Sequence, residues 1–233
     1  MTDRHKRITL IHTSPVMIGL FSDIYSEILK GVEVINTVDE SLLKDIIQND
    51  QAPKSALRRV VMHILNAHQA GTDLIMVTCS SLGPAAQIGG QLLDIPVIRV
   101  DEPMVAMAVA KGQRIGILAT LPSTMGPTKD LVLAKARAIS RQIEVHVDLC
   151  PGAFDALLSG NPEQHDQIVS AAVRKMASKV DVILLAQASM ARVLVSIPAG
   201  TIDVPILTSP RPAIEHAATI LGLKDACQAR LDL

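Results

Sequence analysis

The chain has 233 residues and a formal net charge of −1; 48% of its residues are apolar, yet it has one Tyr, two Phe and no Trp, so its one large or two small domains need an aliphatic core. Without a basic run or aromatic stacking surface it is not a dedicated nucleic-acid binder, and a small neutral or anionic ligand is the expected partner. No stretch approaches the roughly 18 to 20 apolar residues that cross a bilayer, and the polar start Met1-Thr-Asp-Arg-His-Lys-Arg7 does not read as a signal peptide, so a soluble, cytoplasmic protein is expected.

In chain order, short apolar runs at residues 8–11, 32–35, 74–77, 96–100, 115–119, 143–147, 182–185 and 204–208 read as buried parallel strands. Helical patterns lie between them. Residues 55–70 place Leu57, Val60, Val61, Ile64 and Leu65 on one face before Gly71, and residues 163–179 do the same with Ile168, Ala172 and Met176. Residues 122–128, with Pro122, Gly126 and Pro127, read as an exposed loop that could cover a site, and residues 213–221 as a last helix before Gly222. Strands alternating with helices of this length imply right-handed βαβ units and an α/β fold with mostly parallel sheets covered by helices.

The chain also repeats itself. Arg7-Ile-Thr-Leu-Ile-His-Thr13-Ser-Pro15 returns as Arg114-Ile-Gly-Ile-Leu-Ala-Thr120-Leu-Pro122, an offset of 107 residues, and Asp73-Leu-Ile-Met-Val-Thr-Cys79-Ser-Ser81 returns as Asp181-Val-Ile-Leu-Leu-Ala-Gln187-Ala-Ser189, an offset of 108. A third pair matches Ile95-Pro-Val-Ile-Arg-Val-Asp-Glu-Pro103 with Val204-Pro-Ile-Leu-Thr-Ser-Pro-Arg-Pro212. An internal duplication of this kind predicts two pseudo-symmetric lobes, residues 1–102 with 208–233 and residues 103–207, with Cys79 and Gln187 facing each other across a cleft.

Ligands of open parallel sheets bind beyond the carboxyl ends of the strands. Thr13 and Ser14, Cys79 with Ser80 and Ser81, Thr120 to Thr124, and Gln187 with Ala188 and Ser189 reach that edge, rich in hydroxyls and poor in charge, which suits a small carboxylate. Ser80 and Ser81 are expected to cap a helix starting near Leu82, and Cys79 at its N-terminus to have a lowered thiol pKa. The inert alternative is a small buried apolar cysteine. The three cysteines Cys79, Cys150 and Cys227 lack CxxC spacing and suggest neither a disulfide framework nor a zinc site.

Val77-Thr-Cys79-Ser-Ser81, Leu185-Ala-Gln187-Ala-Ser-Met190 and Gly116-Ile-Leu-Ala-Thr120 with Thr124, in this order and spacing, resemble the aspartate/glutamate/hydantoin racemase superfamily over most of the chain. The resemblance implies a cofactor-independent isomerase in which two thiols flank the α-carbon of a bound carboxylate. Here Gln187 stands where the second thiol is expected, and a carboxamide neither gives nor takes a proton near neutral pH. The similar arylmalonate decarboxylases work with one cysteine, and related maleate isomerases use a cysteine as nucleophile. The resemblance therefore implies single-thiol chemistry at Cys79, as an isomerase or a decarboxylase-like lyase, on a small acid or amino-acid-like substrate. Thr13, Ser14, Ser80, Ser81, Thr120, Thr124, Gln187, Ala188 and Ser189 are assigned to binding it.

The alternative from another class is a noncatalytic carboxylate-binding or regulatory protein that has lost one catalytic cysteine. No cofactor, metal, nucleic acid or membrane is expected as a partner, and a homo-oligomer is left open. His12 is expected to be structural, Asp101 and Glu102 to be solvated or helix-capping, His63, His68 and His216 to serve surface or packing roles, and Cys150 to lie away from the duplicated pair.

Overall fold

The computed structural model describes residues 5–198 and 200–223. The order is β1 (Arg7–His12), α1 (Val16–Ile28), β2 (Glu33–Val38), α2 (Glu40–Asn49), α3 (Lys54–Gln69), β3 (Leu74–Val77), a 3-10 turn (Ser80–Leu82), α4 (Gly83–Gly90) and β4 (Val97–Arg99). Then follow α5 (Glu102–Lys111), β5 (Arg114–Ala119), α6 (Pro122–Ala138), β6 (Glu144–Leu149), α7 (Ala153–Leu158), α8 (Pro162–Ala177), β7 (Val182–Leu185), a second 3-10 turn (Ala188–Arg192), α9 (Val193–Ser196), β8 (Ile206–Thr208) and α10 (Pro210–Ile220). The chain divides into two compact units: residues up to Val100 with those from Pro210 onward, and Asp101–Ser209.

Each unit holds one four-stranded, fully parallel sheet, in the order β2-β1-β3-β4 in the first and β6-β5-β7-β8 in the second. All eight apolar runs form strands. Their ends move where polar residues continue the ladder: β2 runs on to Val38 because Asn36 and Thr37 still pair with Leu10 and Ile11. Gly71, at φ +79°, turns the chain out of α3 in the left-handed region that glycine adopts without strain.

The cores are aliphatic on both faces of each sheet. Ile11, Ile75 and Val77 pack with Leu42 and Ile46 of α2, Val60 and Ile64 of α3, and Ala85 and Ala86 of α4. In the second unit Ile115, Ile117, Ala119, Val182 and Leu184 face α5 and α6, while Leu118, Ile183 and Leu185 face α8. Gly116 belongs to the α8 face, where a Cβ would come within 2.7 Å of Met176 Cγ. No helix among the described residues is long and apolar enough to cross a membrane.

Residues 122–128 are not an exposed loop. They open α6, with Pro122 in its first turn and Pro127 inside it, and Ser123, Thr124 and Thr128 are buried. Pro122 at the helix start loses no hydrogen bond, whereas Pro127, past the first turn, gives up one and is still accommodated in the helix.

Two devices recur. At the amino-terminal edges of the sheets, Asp73 Oδ2 accepts the Arg7 N–H at 2.8 Å, and Asp181 Oδ2 accepts the Arg114 N–H at 2.8 Å. The backbone N–H and guanidinium of Arg114 hold the Asp181 carboxyl down to about 2. At the helices, α5 packs on α6 with Glu102 paired to Lys135, and α10 packs on α1 with Arg211 paired to Glu27 at 2.6 Å. Glu102 corresponds to Arg211 in the repeat, and each pairs with an opposite charge on the helix that follows the first strand of its unit, so a similar bridge appears twice with its polarity reversed.

Thr128 Oγ1 is buried without a hydrogen-bond partner among the described residues, on a helix that packs into an apolar cluster. A buried hydroxyl left unpaired costs about 1 kcal/mol or more. Thr128→Val should therefore raise the melting temperature by about 2–4 °C for about 1 kcal/mol in a chain of this size. A lower melting temperature would mean that Thr128 has a partner after all.

Candidate active site

In the order β2-β1-β3-β4 the chain leaves β1 toward one neighbour and later enters β3 on the other side, so β1 and β3 form the switch point beyond whose carboxyl ends open α/β sheets bind ligands. Thr13 directly follows β1, and Cys79 stands one residue beyond Thr78 at the end of β3. In the second unit β5 and β7 occupy the corresponding positions, followed by Thr120 and, past Ala186, by Gln187.

Cys79 has extended backbone and stands at the N-cap of the turn Ser80–Leu82, as a half-buried residue. Its sulfur is hydrogen-bonded by the N–H groups of Ser81 and Leu82 and by the hydroxyls of Thr13 and Ser81. Thr13, Ser80 and Ser81 are buried and Ser14 is half-buried beside Thr13. This gathers Cys79, Thr13 and Ser81 at one point, with Ser14 and Ser80 as their chain neighbours. Two expectations are corrected. The serines lie within the 3-10 turn, and α4 has Leu82 at its N-cap with no side-chain cap bond, because Cys79 already holds the cap position of the turn. The thiol pKa is raised, not lowered: burial outweighs the surrounding donors, all of which favour the thiolate. Cys79 therefore rests as a protonated thiol.

Gln187 holds the N-cap of the second turn and is fixed by two bonds to one residue. The Thr120 N–H donates to its Oε1 at 2.6 Å, and its Nε2 donates to Thr120 Oγ1 at 2.7 Å. Since a backbone N–H can only donate, the carboxamide oxygen must face it, which sets the orientation of the amide. The Thr120 hydroxyl accepts here and keeps its own proton for another acceptor. Thr124 is buried in the first turn of α6, and Ala188 and Ser189 open the turn after Gln187.

His12 is fully buried, with Nδ1 2.9 Å from Thr78 Oγ1, Nε2 2.9 Å from Asn36 Oδ1, and its ring 5.7 Å from that of Phe21. Burial lowers its pKa against the opposing Asn36 bond, and a neutral ring with both nitrogens engaged offers no lone pair to a substrate. Cys150 is buried, and burial with the nearby Asp148 pushes its thiol up to about 11. Asp101 is not solvated: it is fully buried at the N-cap position of α5 without a side-chain cap bond. Glu102 pairs with Lys135, His63 with Asp39 at 3.0 Å, and His68 and His216 are exposed. Cys227 lies outside the described residues.

Residue-type reasoning passed over Asn36, Arg99 and Arg192, and gave Thr78, beside Cys79 at the sheet edge, no role of its own. Arg99 is buried at the end of β4, and a Cβ on Gly83 would come within 2.2 Å of its Cζ, so the guanidinium lies against the start of α4. Arg192, at the end of the second turn, donates from Nε to Asp166 Oδ1 at 2.9 Å, and His165 Nδ1 meets the same carboxylate at 2.8 Å. The only signal for Asn36 and Arg99 is that each breaks an apolar strand. Among the described residues no group of three or more His, Cys, Asp or Glu is placed to hold a metal ion.

A family model described as Asp/Glu/hydantoin racemase matches residues 16–217. No curated protein matches the chain in sequence. Among solved structures, it is similar to glutamate racemase RacE1 from Bacillus anthracis, with TM-score 0.72, 18% identity and coverage of 95% of this chain and 84% of that one. It is similar to the aspartate racemase of Picrophilus torridus, with TM-score 0.71, 14% identity and coverage of 92% and 93%. The allantoin racemase of Klebsiella pneumoniae gives TM-score 0.71, 20% identity and coverage of 94% and 88%. At these identities the likeness is one of fold.

The raised thiol pKa has a direct readout. Iodoacetamide labelling of Cys79, followed by peptide mass spectrometry across pH, should have its midpoint above that of a free cysteine, at about 8.5. A midpoint below free cysteine would show that the donors around the sulfur outweigh its burial.

Proposed function

The chain belongs to the Asp/Glu/hydantoin racemase family, and we propose that it is a cofactor-independent enzyme in which Cys79 alone moves a proton at the carbon next to the carboxylate of a small acid or amino-acid-like substrate. The observation that carries this reading is the inequality of the two strand ends. A thiol with four donors on its sulfur ends one, and a carboxamide locked onto Thr120 ends the other. Thr13, Ser14, Ser80 and Ser81 in one unit, and Thr120, Thr124, Gln187, Ala188 and Ser189 in the other, are proposed to bind substrate.

Because Cys79 rests protonated, it is better suited to deliver a proton than to remove one. This favours a decarboxylase-like course. The bond to a departing carboxylate breaks as CO2 leaves, and its electron pair stays on the α-carbon, delocalised into the remaining carboxylate as an enediolate held by N–H and O–H donors. The Cys79 S–H then protonates that carbon from one side, and water returns a proton to the thiolate. An isomerase remains the reading favoured by the family, and requires substrate binding to bring Cys79 into its thiolate form. The raised thiol also suits a carboxylate-binding protein without turnover.

The test is a panel of substituted malonates, amino acids and hydantoins in deuterated water, followed by NMR and chiral chromatography. A deuterium-labelled product of one handedness is expected, with Cys79→Ser folded but slower by at least about a hundredfold. Efficient racemisation of a free amino acid would overturn the one-base reading, and a Cys79→Ser protein of undiminished activity would remove the thiol from the reaction. Binding that raises the melting temperature with no turnover of any member would support the noncatalytic alternative. Gln187→Cys removes the clamp on Thr120 and should add some racemase activity, limited because a base about 1 Å out of place costs on the order of a hundredfold.

A further inference from the structure

Beneath the Cys79 strand end runs a polar chain that has no counterpart at the Gln187 strand end. Asn36 of β2, His12 of β1 and Thr78 after β3 are joined side chain to side chain at 2.9 Å and 2.9 Å. The Thr78 hydroxyl also lies 2.9 Å from the Ile11 carbonyl oxygen. His12 is fully buried and Thr78 nearly so, in a sheet whose buried residues are mostly Ile, Leu, Val and Met.

The same three places in the second unit are apolar. His12 and Thr78 correspond to Ala119 and Ala186 in the repeat. Asn36 pairs with Leu10, two residues before His12, as Val147 pairs with Ile117, two residues before Ala119. Ala119, Ala186 and Val147 all belong to one hydrophobic cluster. The fold therefore does not need polar groups here, and burying His12 and Thr78 costs stability unless each is hydrogen-bonded. They occur only where a thiol follows.

What they join is specific. His12 directly precedes Thr13, and Thr78 directly precedes Cys79, so the His12–Thr78 bond is the last side-chain tie between the two strands before the Thr13 hydroxyl meets the Cys79 sulfur. We infer that Asn36, His12 and Thr78 form a positioning network that sets the Cys79 sulfur against its donors. The inference rests on Cys79 being the functional thiol, and assigns His12 as a positioning residue with no proton-transfer role.

The two arms of the imidazole can be tested separately, because an Asn carboxamide reaches about as far as Nδ1 and a Gln carboxamide about as far as Nε2, and either can turn its oxygen or its nitrogen to the partner. His12→Asn keeps a bond to Thr78 and loses Asn36. His12→Gln keeps Asn36 and loses Thr78. The readout is the iodoacetamide labelling rate of Cys79 at one fixed pH in the full chain, by peptide mass spectrometry, beside the melting temperature. Loss of a hydrogen bond that favours the thiolate lowers its population about tenfold. His12→Gln is therefore expected to label about tenfold more slowly, while His12→Asn stays within about twofold of the original protein, although both melt lower. Thr78→Val keeps the shape, removes the hydroxyl, and should match His12→Gln even if that variant folds poorly. Equal labelling rates in the two His12 variants, or slower labelling in His12→Asn alone, would overturn the assignment. Labelling does not depend on turnover, so an inactive wild-type protein would count against the proposed reaction and leave this result standing.

Discussion

Because β1 lies between β2 and β3, the chain leaves its carboxyl end toward one neighbour and returns along the other, and beyond Ile11 and Val77 the two strands have only one more backbone rung, from Thr78 N–H to the Ile11 carbonyl. Past that point polar groups need other partners. An aliphatic sheet has none to offer, so they must come from the residues that end the strands and from the turns that follow. The hydroxyls, the thiol and the turn N–H groups collect at one edge for that reason, and their concentration there is a result of strand order before it is a result of chemistry.

The two units answer this need differently on the same scaffold. In the first, the turn N–H groups of Ser81 and Leu82 converge with the Thr13 and Ser81 hydroxyls on a sulfur atom, which is a weak acceptor when protonated and a strong one when ionised. These donors are therefore incompletely used in the resting state and gain most when charge appears. In the second, the carboxamide of Gln187 takes the Thr120 N–H and gives a hydrogen bond back to its hydroxyl, so the two side chains hold each other. One strand end gathers its donors on an ionisable atom and the other on a neutral amide.

Much of this was legible in the residues. Strands that are four to six residues of Ile, Leu, Val and Met between turn signals cannot easily be anything else, and the offsets of 107 and 108 tie Thr13 to Thr120 and Cys79 to Gln187 without coordinates. The α/β architecture and the racemase family followed from that order. What failed were local inferences that depend on three-dimensional surroundings. A helix dipole predicts a depressed thiol pKa only where desolvation is small, and here burial of the thiol outweighs its donors. Proline and glycine between residues 122 and 128 suggest a loop only if proline is assumed to break helices, whereas Pro122 at the first turn of α6 costs nothing and Pro127 is accommodated within it. The partners of His12 could not be foreseen, because Asn36 and Thr78 meet it only through sheet register.

The reversed polarity of the two helix bridges bears on how a repetitive chain sorts itself. Two halves with the same strand order offer each connecting helix two similar surfaces, and an aliphatic interface discriminates poorly between them. Glu102 set on α1 would meet Glu27, and Arg211 set on α6 would meet Lys135, so each wrong pairing brings like charges together where the right one brings opposites. Exposed pairs of this kind add little to stability. Their value is informational: two charges of each sign label otherwise interchangeable halves, and let an ancestral symmetry persist in the backbone while the chain keeps a single way of assembling.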